Sequence, residues 1–108
     1  MGVAIDHKKS FEWFSKSANQ GNLYGQWRVG ECSYRAIGVT QDRVKAVEWY
    51  SISGERGNRY AQNNLGNCYE YGEGVPLDID TAVSWYRKAA DQGFEGAINR
   101  LQLLGIRL

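Results

Sequence analysis

The chain has 108 residues, 43% of them hydrophobic, and its 13 Lys and Arg balance 12 Asp and Glu to a formal charge of +1. That length suits one domain with a core of its own, and the scattered, near-neutral charge leaves no electrostatic footprint for nucleic acid or anionic lipid. No apolar run reaches membrane-spanning length and residues 1–10 hold no signal-peptide stretch, so the expected compartment is the cytoplasm and no membrane insertion is expected. The opening Met1-Gly2 fails as a myristoylation signal because Asp6 stands where Ser or Thr is required.

Six helical segments are expected in chain order. The first, 6–20, carries Trp13-Phe14 and stops at Gly21, with His7-Lys8-Lys9 as its solvated start. The second, 23–34, carries Tyr24, Trp27 and Cys32. The third, 42–56, repeats the aromatic pair as Trp49-Tyr50 and stops at Gly57. The fourth, 59–71, repeats the second, with Tyr60 for Tyr24, Gln62 for Gln26, Leu65-Gly66 for Val29-Gly30 and Cys68 for Cys32. The fifth, 78–92, has Trp85-Tyr86 and stops at Gly93, and the sixth is 95–104. Trp13, Trp49 and Trp85 thus recur every 36 residues, as do Gly21, Gly57 and Gly93. A fixed period of this length means stacked helix-turn-helix units. In the fifth segment Ala82, Trp85, Tyr86, Ala89 and Ala90 make one apolar stripe, with Asp78 as N-cap and Gly93 as left-handed stop. In the fourth, Ala61, Leu65, Gly66 and Tyr69 share a face, and Gly66 lets a neighbouring backbone approach. The fold class is therefore all-α, a right-handed α/α solenoid of 36-residue helix-turn-helix repeats with no strand.

The run 61–93, AQNNLGNCYEYGEGVPLDIDTAVSWYRKAADQG, resembles one full unit of the Sel-one-like repeat family, relatives of the tetratricopeptide repeats. Its pattern is A-x3-LG-x2-Y-x2-G-x-G-V-x2-D-x3-A-x2-WY-x2-AA-x-x-G. A plain tetratricopeptide unit has a period of about 34 and lacks the loop that Gly72, Gly74 and Val75 form here. The unit 25–57 is a weaker copy, with Gly25, Ser33, Ala36 and Ser53-Gly54 at motif positions. Residues 2–21 match only the loop from Gly2-Val3 and a second helix, and 95–104 is a terminal first helix, the whole making one repeat domain over 1–108. The helix around Trp13 lacks the first helix of its own unit and is expected to be an open edge, a possible site of edge-to-edge self-association.

Nothing assembles a catalytic centre. The chain has one histidine, His7, no nucleophile elbow and no phosphate loop, so no enzyme activity and no cofactor are expected. A zinc site lacks ligands. Cys32 and Cys68 share a phase, which sets them about 8–10 Å apart, the spacing of packed helices. A bridge needs Cα atoms within about 7 Å, so two free, buried thiols are expected. The resemblance adds that secreted bacterial members link the two helices of a unit by a disulfide, a pairing absent here.

What remains is a surface. If the units stack as in the tetratricopeptide superfamily, first helices line the concave side. Their outward positions are Tyr24, Trp27, Glu31 and Tyr34, then Tyr60, Asn63, Asn67 and Glu70, then Asn99 with Leu103. These residues are expected to bind a protein or peptide partner, with Tyr24, Trp27 and Tyr60 as anchors and Glu31, Asn63, Asn67 and Glu70 supplying hydrogen bonds free of structural duty. For Tyr24 and Tyr34 the alternative is that they fill gaps left by Gly25 and Ser33. No small-molecule ligand is expected. The resemblance implies an adaptor or scaffold: members hold together signalling complexes, assist membrane-associated degradation machinery, or activate a partner enzyme such as a fungal chitin synthase. The other reading is a structural slice of a longer array, or of a repeat tail on a kinase-like protein.

Overall fold

The computed structural model describes residues 6–106, so the expected loop at Gly2 and Val3 lies outside the described residues. Within them the chain forms six helices, α1 (His7–Asn19), α2 (Leu23–Arg35), α3 (Arg43–Glu55), α4 (Arg59–Tyr71), α5 (Ile79–Asp91) and α6 (Glu95–Leu103), and no strand. Each helix packs on the next in sequence, and α4 also touches α6. The array measures 45 × 32 × 27 Å with a radius of gyration of 14.4 Å. A compact globule of this length would have about 13 Å, so the molecule is drawn out along its repeat axis.

The helix boundaries are local chemistry repeated. Asp6, Asp42 and Asp78 sit in extended backbone and accept from the amides of Lys9, Lys45 and Thr81, capping α1, α3 and α5. Asn22 and Asn58 do the same for α2 and α4, accepting from Gly25 N and Ala61 N. Such a cap satisfies an amide the helix cannot and contributes about 1 kcal/mol. The segments expected at 6–20, 42–56 and 78–92 each exceed the observed helix by one residue at either end, because those end residues are the caps. Gly72 ends α4 in the left-handed region at φ 67°, and Ala36 takes the same conformation after α2 at φ 59°. For Ala that geometry costs about 1–2 kcal/mol, which locates the strain in the weaker unit.

The core divides along the array. One cluster joins Ala46, Val47 and Tyr50 of α3 to Ala61, Leu65 and Cys68 of α4, with Trp27, Tyr69 and Trp85 against it. The other joins Ala82, Tyr86 and Ala89 to Ala97 and Leu101. Tyr50 packs directly against Gly30 and Tyr86 against Gly66, where a Cβ would come within 2.7 and 2.4 Å of the ring. The glycine is what admits a tyrosine between two helices. Trp49 and Trp85 are half-buried, whereas Trp13 at the same phase is 74% exposed.

Candidate functional site

Five aromatic rings form a continuous row across the first helices and their neighbours. Phe14 of α1 meets Tyr24 edge-on at 6.2 Å, and Tyr24 meets Trp27 edge-on at 5.5 Å. Trp27 stacks on Tyr60 of α4 at 4.9 Å and 26°, and Tyr60 meets Phe94, at the start of α6, edge-on at 5.5 Å. These are the offset and T-shaped geometries that ring quadrupoles favour. The guanidinium of Arg28 lies 4.9 Å from the Phe14 ring centre and 5.5 Å from that of Trp27, and Arg59 lies 5.2 Å from that of Tyr60. Tyr24 is 54% and Tyr60 38% exposed. Beside the row a shallow cleft of about 290 Å³ is lined by Leu23, Tyr24, Asn58, Arg59, Tyr60 and Gln92.

Trp27 holds the row in place. Its Nε1–H donates to Asn64 Oδ1 at 2.8 Å, and its ring packs against the α3–α4 core cluster, so it is half-buried. The sequence reading puts it wholly on the open face; the structure gives it both a packing duty and an accessible part. Tyr24 does not fill the space left by Gly25, because α1 does: a Cβ on Gly25 would lie 2.8 Å from Ala18 N.

Four expected contact residues are occupied elsewhere, which for Glu31, Asn67 and Glu70 corrects the expectation that they have no structural duty. Glu31 is buried, accepts from the Tyr50 hydroxyl at 2.5 Å and pairs with Arg35 at 3.1 Å. Glu70 is buried as well and accepts from the Tyr86 hydroxyl at 2.7 Å and from Arg100 Nε at 2.8 Å. Asn67, half-buried, accepts from Tyr86 at 2.6 Å. Tyr34, half-buried, donates to Glu73 at 2.7 Å and lies beneath the Arg43 guanidinium, which itself pairs with Glu73 at 3.1 Å. The cause is one and the same: a phenol carried into a seam between helices must find an acceptor there. Burial raises the pKa of Tyr50 and Tyr86 and pushes Tyr34 up to about 12, while the Arg100 hydrogen bond lowers that of Glu70. Asn63 is half-buried with its Oδ1 unpartnered, and Asn99 is exposed on α6.

The structure therefore brings together Tyr24, Trp27 and Tyr60, and assigns Glu31, Tyr34, Asn67 and Glu70 to the seams. Phe14, Arg28, Asn64 and Phe94 belong to the row and were missed by sequence reasoning. Asn64 and Arg28 share one phase of the repeat, which was the available signal. Cys32 and Cys68 are free and buried, and burial raises both thiols, Cys68 to about 12. Among the described residues no group of three or more His, Cys, Asp or Glu is placed to hold a metal, and no helix is long and apolar enough to cross a membrane.

A family model described as Sel1 repeat matches residues 1–22, 23–58 and 59–94. No curated protein matches the chain. Among solved structures, a protective antigen present in uropathogenic Escherichia coli, displaying an SLR fold, is 37% identical over 90% of the chain with a TM-score of 0.84. A Sel1 repeat protein from Oxalobacter formigenes is 36% identical over 79% with 0.77, and Helicobacter pylori cysteine rich protein B is 27% identical over 90% with 0.83. The chain spans 21% of the first of these proteins, 65% of the second and 73% of the third.

Proposed function

This chain belongs to the Sel1 repeat family, and we propose that it is a non-enzymatic scaffold that binds a polypeptide partner along its aromatic row, on the concave side lined by first helices. The Trp27–Tyr60 stack carries this reading, because it joins two units at the centre of a row in which Tyr24 and Tyr60 stay open to solvent. Rigid, half-exposed aromatics give contact area at low entropic cost, and Arg28 and Arg59 offer donors around them. Asn63 and Asn99 supply hydrogen bonds farther along α4 and α6. Glu31, Asn67 and Glu70 act indirectly by fixing the tyrosines that set helix spacing. The proposal places the scaffold in the cytoplasm, where its two thiols stay reduced.

The test is site-specific photocrosslinking in cells. Benzoylphenylalanine replacing Tyr24 or Tyr60 should capture a discrete polypeptide, and the same label replacing exposed Ile79 should not. Equal capture from all three positions, or none from 24 and 60, would reject the row as the contact surface. A second reading is favoured by Trp13, exposed at the phase where Trp49 and Trp85 are covered. On that reading this edge seats a further repeat or a second copy, and Trp13→Arg would abolish any concentration-dependent association seen by light scattering.

A further inference from the structure

A cleft of about 320 Å³ lies between α1 and α3, walled by Phe11, Val29, Val39 and Trp49, with Ser33 and Lys45 also lining it. That volume is at the small end of ligand sites, roughly 300–1,000 Å³. None of its lining residues belongs to the aromatic row. Its origin is in the repeat register. Moving every position on by 36 residues gives Val47, Leu65, Val75 and Trp85 as the walls of the equivalent place in the next unit, and Tyr69 in place of Ser33. There Tyr69 is half-buried and packs against both core clusters. The backbones correspond: Asp42 N donates to Ser33 O at 2.8 Å, and Asp78 N donates to Tyr69 O at 2.9 Å. One unit thus fills its site with its own phenol ring, and the other, with serine at that phase, leaves the site open.

We propose that this cleft receives a tyrosine side chain presented by a partner polypeptide, which takes the place that Tyr69 occupies in the following unit. The apolar walls with Trp49 suit the ring face, and the hydroxyl of Ser33 and ammonium of Lys45 lie among polar groups able to meet a phenol oxygen. The contact is additional to the aromatic row and does not depend on it.

The test uses the whole chain, ¹⁵N-labelled, titrated with a capped Gly-Gly-Tyr-Gly-Gly peptide and separately with p-cresol. Both should produce saturable shifts confined to the amides of Ser33 and Val39 and the indole of Trp49. Ser33→Tyr should weaken both at least about tenfold and raise the melting temperature. Because Phe11 is bulkier than Val47, the double variant Phe11→Val/Ser33→Tyr, which copies the next unit at both positions, keeps the test open if the single variant packs badly. Tyr24→Ala, in the row, should leave both titrations unchanged. Unsaturable or scattered shifts, binding that survives in the folded double variant, loss of binding in Tyr24→Ala, or p-cresol binding with the peptide excluded would each overturn the proposal.

Discussion

Replacing Trp27 by alanine separates a packing role from a recognition role only in degree, and the structure sets the degree. The variant loses the Nε1–Asn64 hydrogen bond, about 1 kcal/mol, and the stack on Tyr60, about 0.5–1.5 kcal/mol beyond area. A fully buried Trp truncated to Ala costs about 3–5 kcal/mol in all. Trp27 is half-buried, so about 2–3 kcal/mol is the expected total. At about 4–8 °C per kcal/mol for a domain near this size, the melting temperature should drop by roughly 10–20 °C. Tyr24→Ala, removing a ring that is 54% exposed, should cost under about 1 kcal/mol. Thermal and urea unfolding followed by circular dichroism would give both numbers, and the Trp27/Tyr60 double-mutant cycle should return a coupling of about 0.5–1.5 kcal/mol. Binding comparisons then belong well below the variant's midpoint. If Trp27→Ala stayed within about 0.5 kcal/mol of the parent, the stack and the Asn64 bond would hold nothing together, and the row would be a set of independent surface side chains.

Three further outcomes follow from the seams. Gly66→Ala gains about 1 kcal/mol of helix propensity but sets a Cβ 2.4 Å from the buried Tyr86 ring, so net destabilisation of about 1–2 kcal/mol or more is expected in urea titrations, and a neutral result would contradict the close approach. Glu70 has a folded pKa below its ordinary value of 4.5, chiefly through the Arg100 hydrogen bond, so its stabilisation is present above that value and is lost as pH falls through the folded pKa. Glu70→Gln should therefore flatten the fall in melting temperature below about pH 4.5, and an unchanged acid limb would show that this pair does not titrate on unfolding. Cys32 and Cys68 should resist a thiol reagent in the native state and both react once denatured without reductant, since burial disfavours both thiolates; a bridged, unreactive species would contradict their free state.

The sequence by itself determined the helices, because everything that starts and stops them is local. Asp42 and Asp78 cap the amides three residues on, Gly72 takes the left-handed turn in place, and the stripe of Ala82, Tyr86 and Ala89 repeats on a helical period. The 36-residue recurrence then made those helices a stack, since no single unit can bury its own stripe. Tyr24 and Tyr60 could be placed on an outward face by the same counting. Where the polar side chains point was decided only by packing. Glu31 and Glu70 read as free to bind a partner because their own hydrogen-bond partners are far off in sequence: Tyr50 is 19 residues from Glu31 and Tyr86 is 16 from Glu70. Trp27 reads as free because Asn64, its acceptor, is 37 residues away. Helical periodicity reports which face a residue occupies, and it is blind to a hydroxyl arriving from the next helix. Such a hydroxyl, once carried into the seam over Gly30 or Gly66, meets the nearest carboxylate there, and the carboxylate's lost solvation is offset by the phenol hydrogen bond together with that from Arg35 or Arg100.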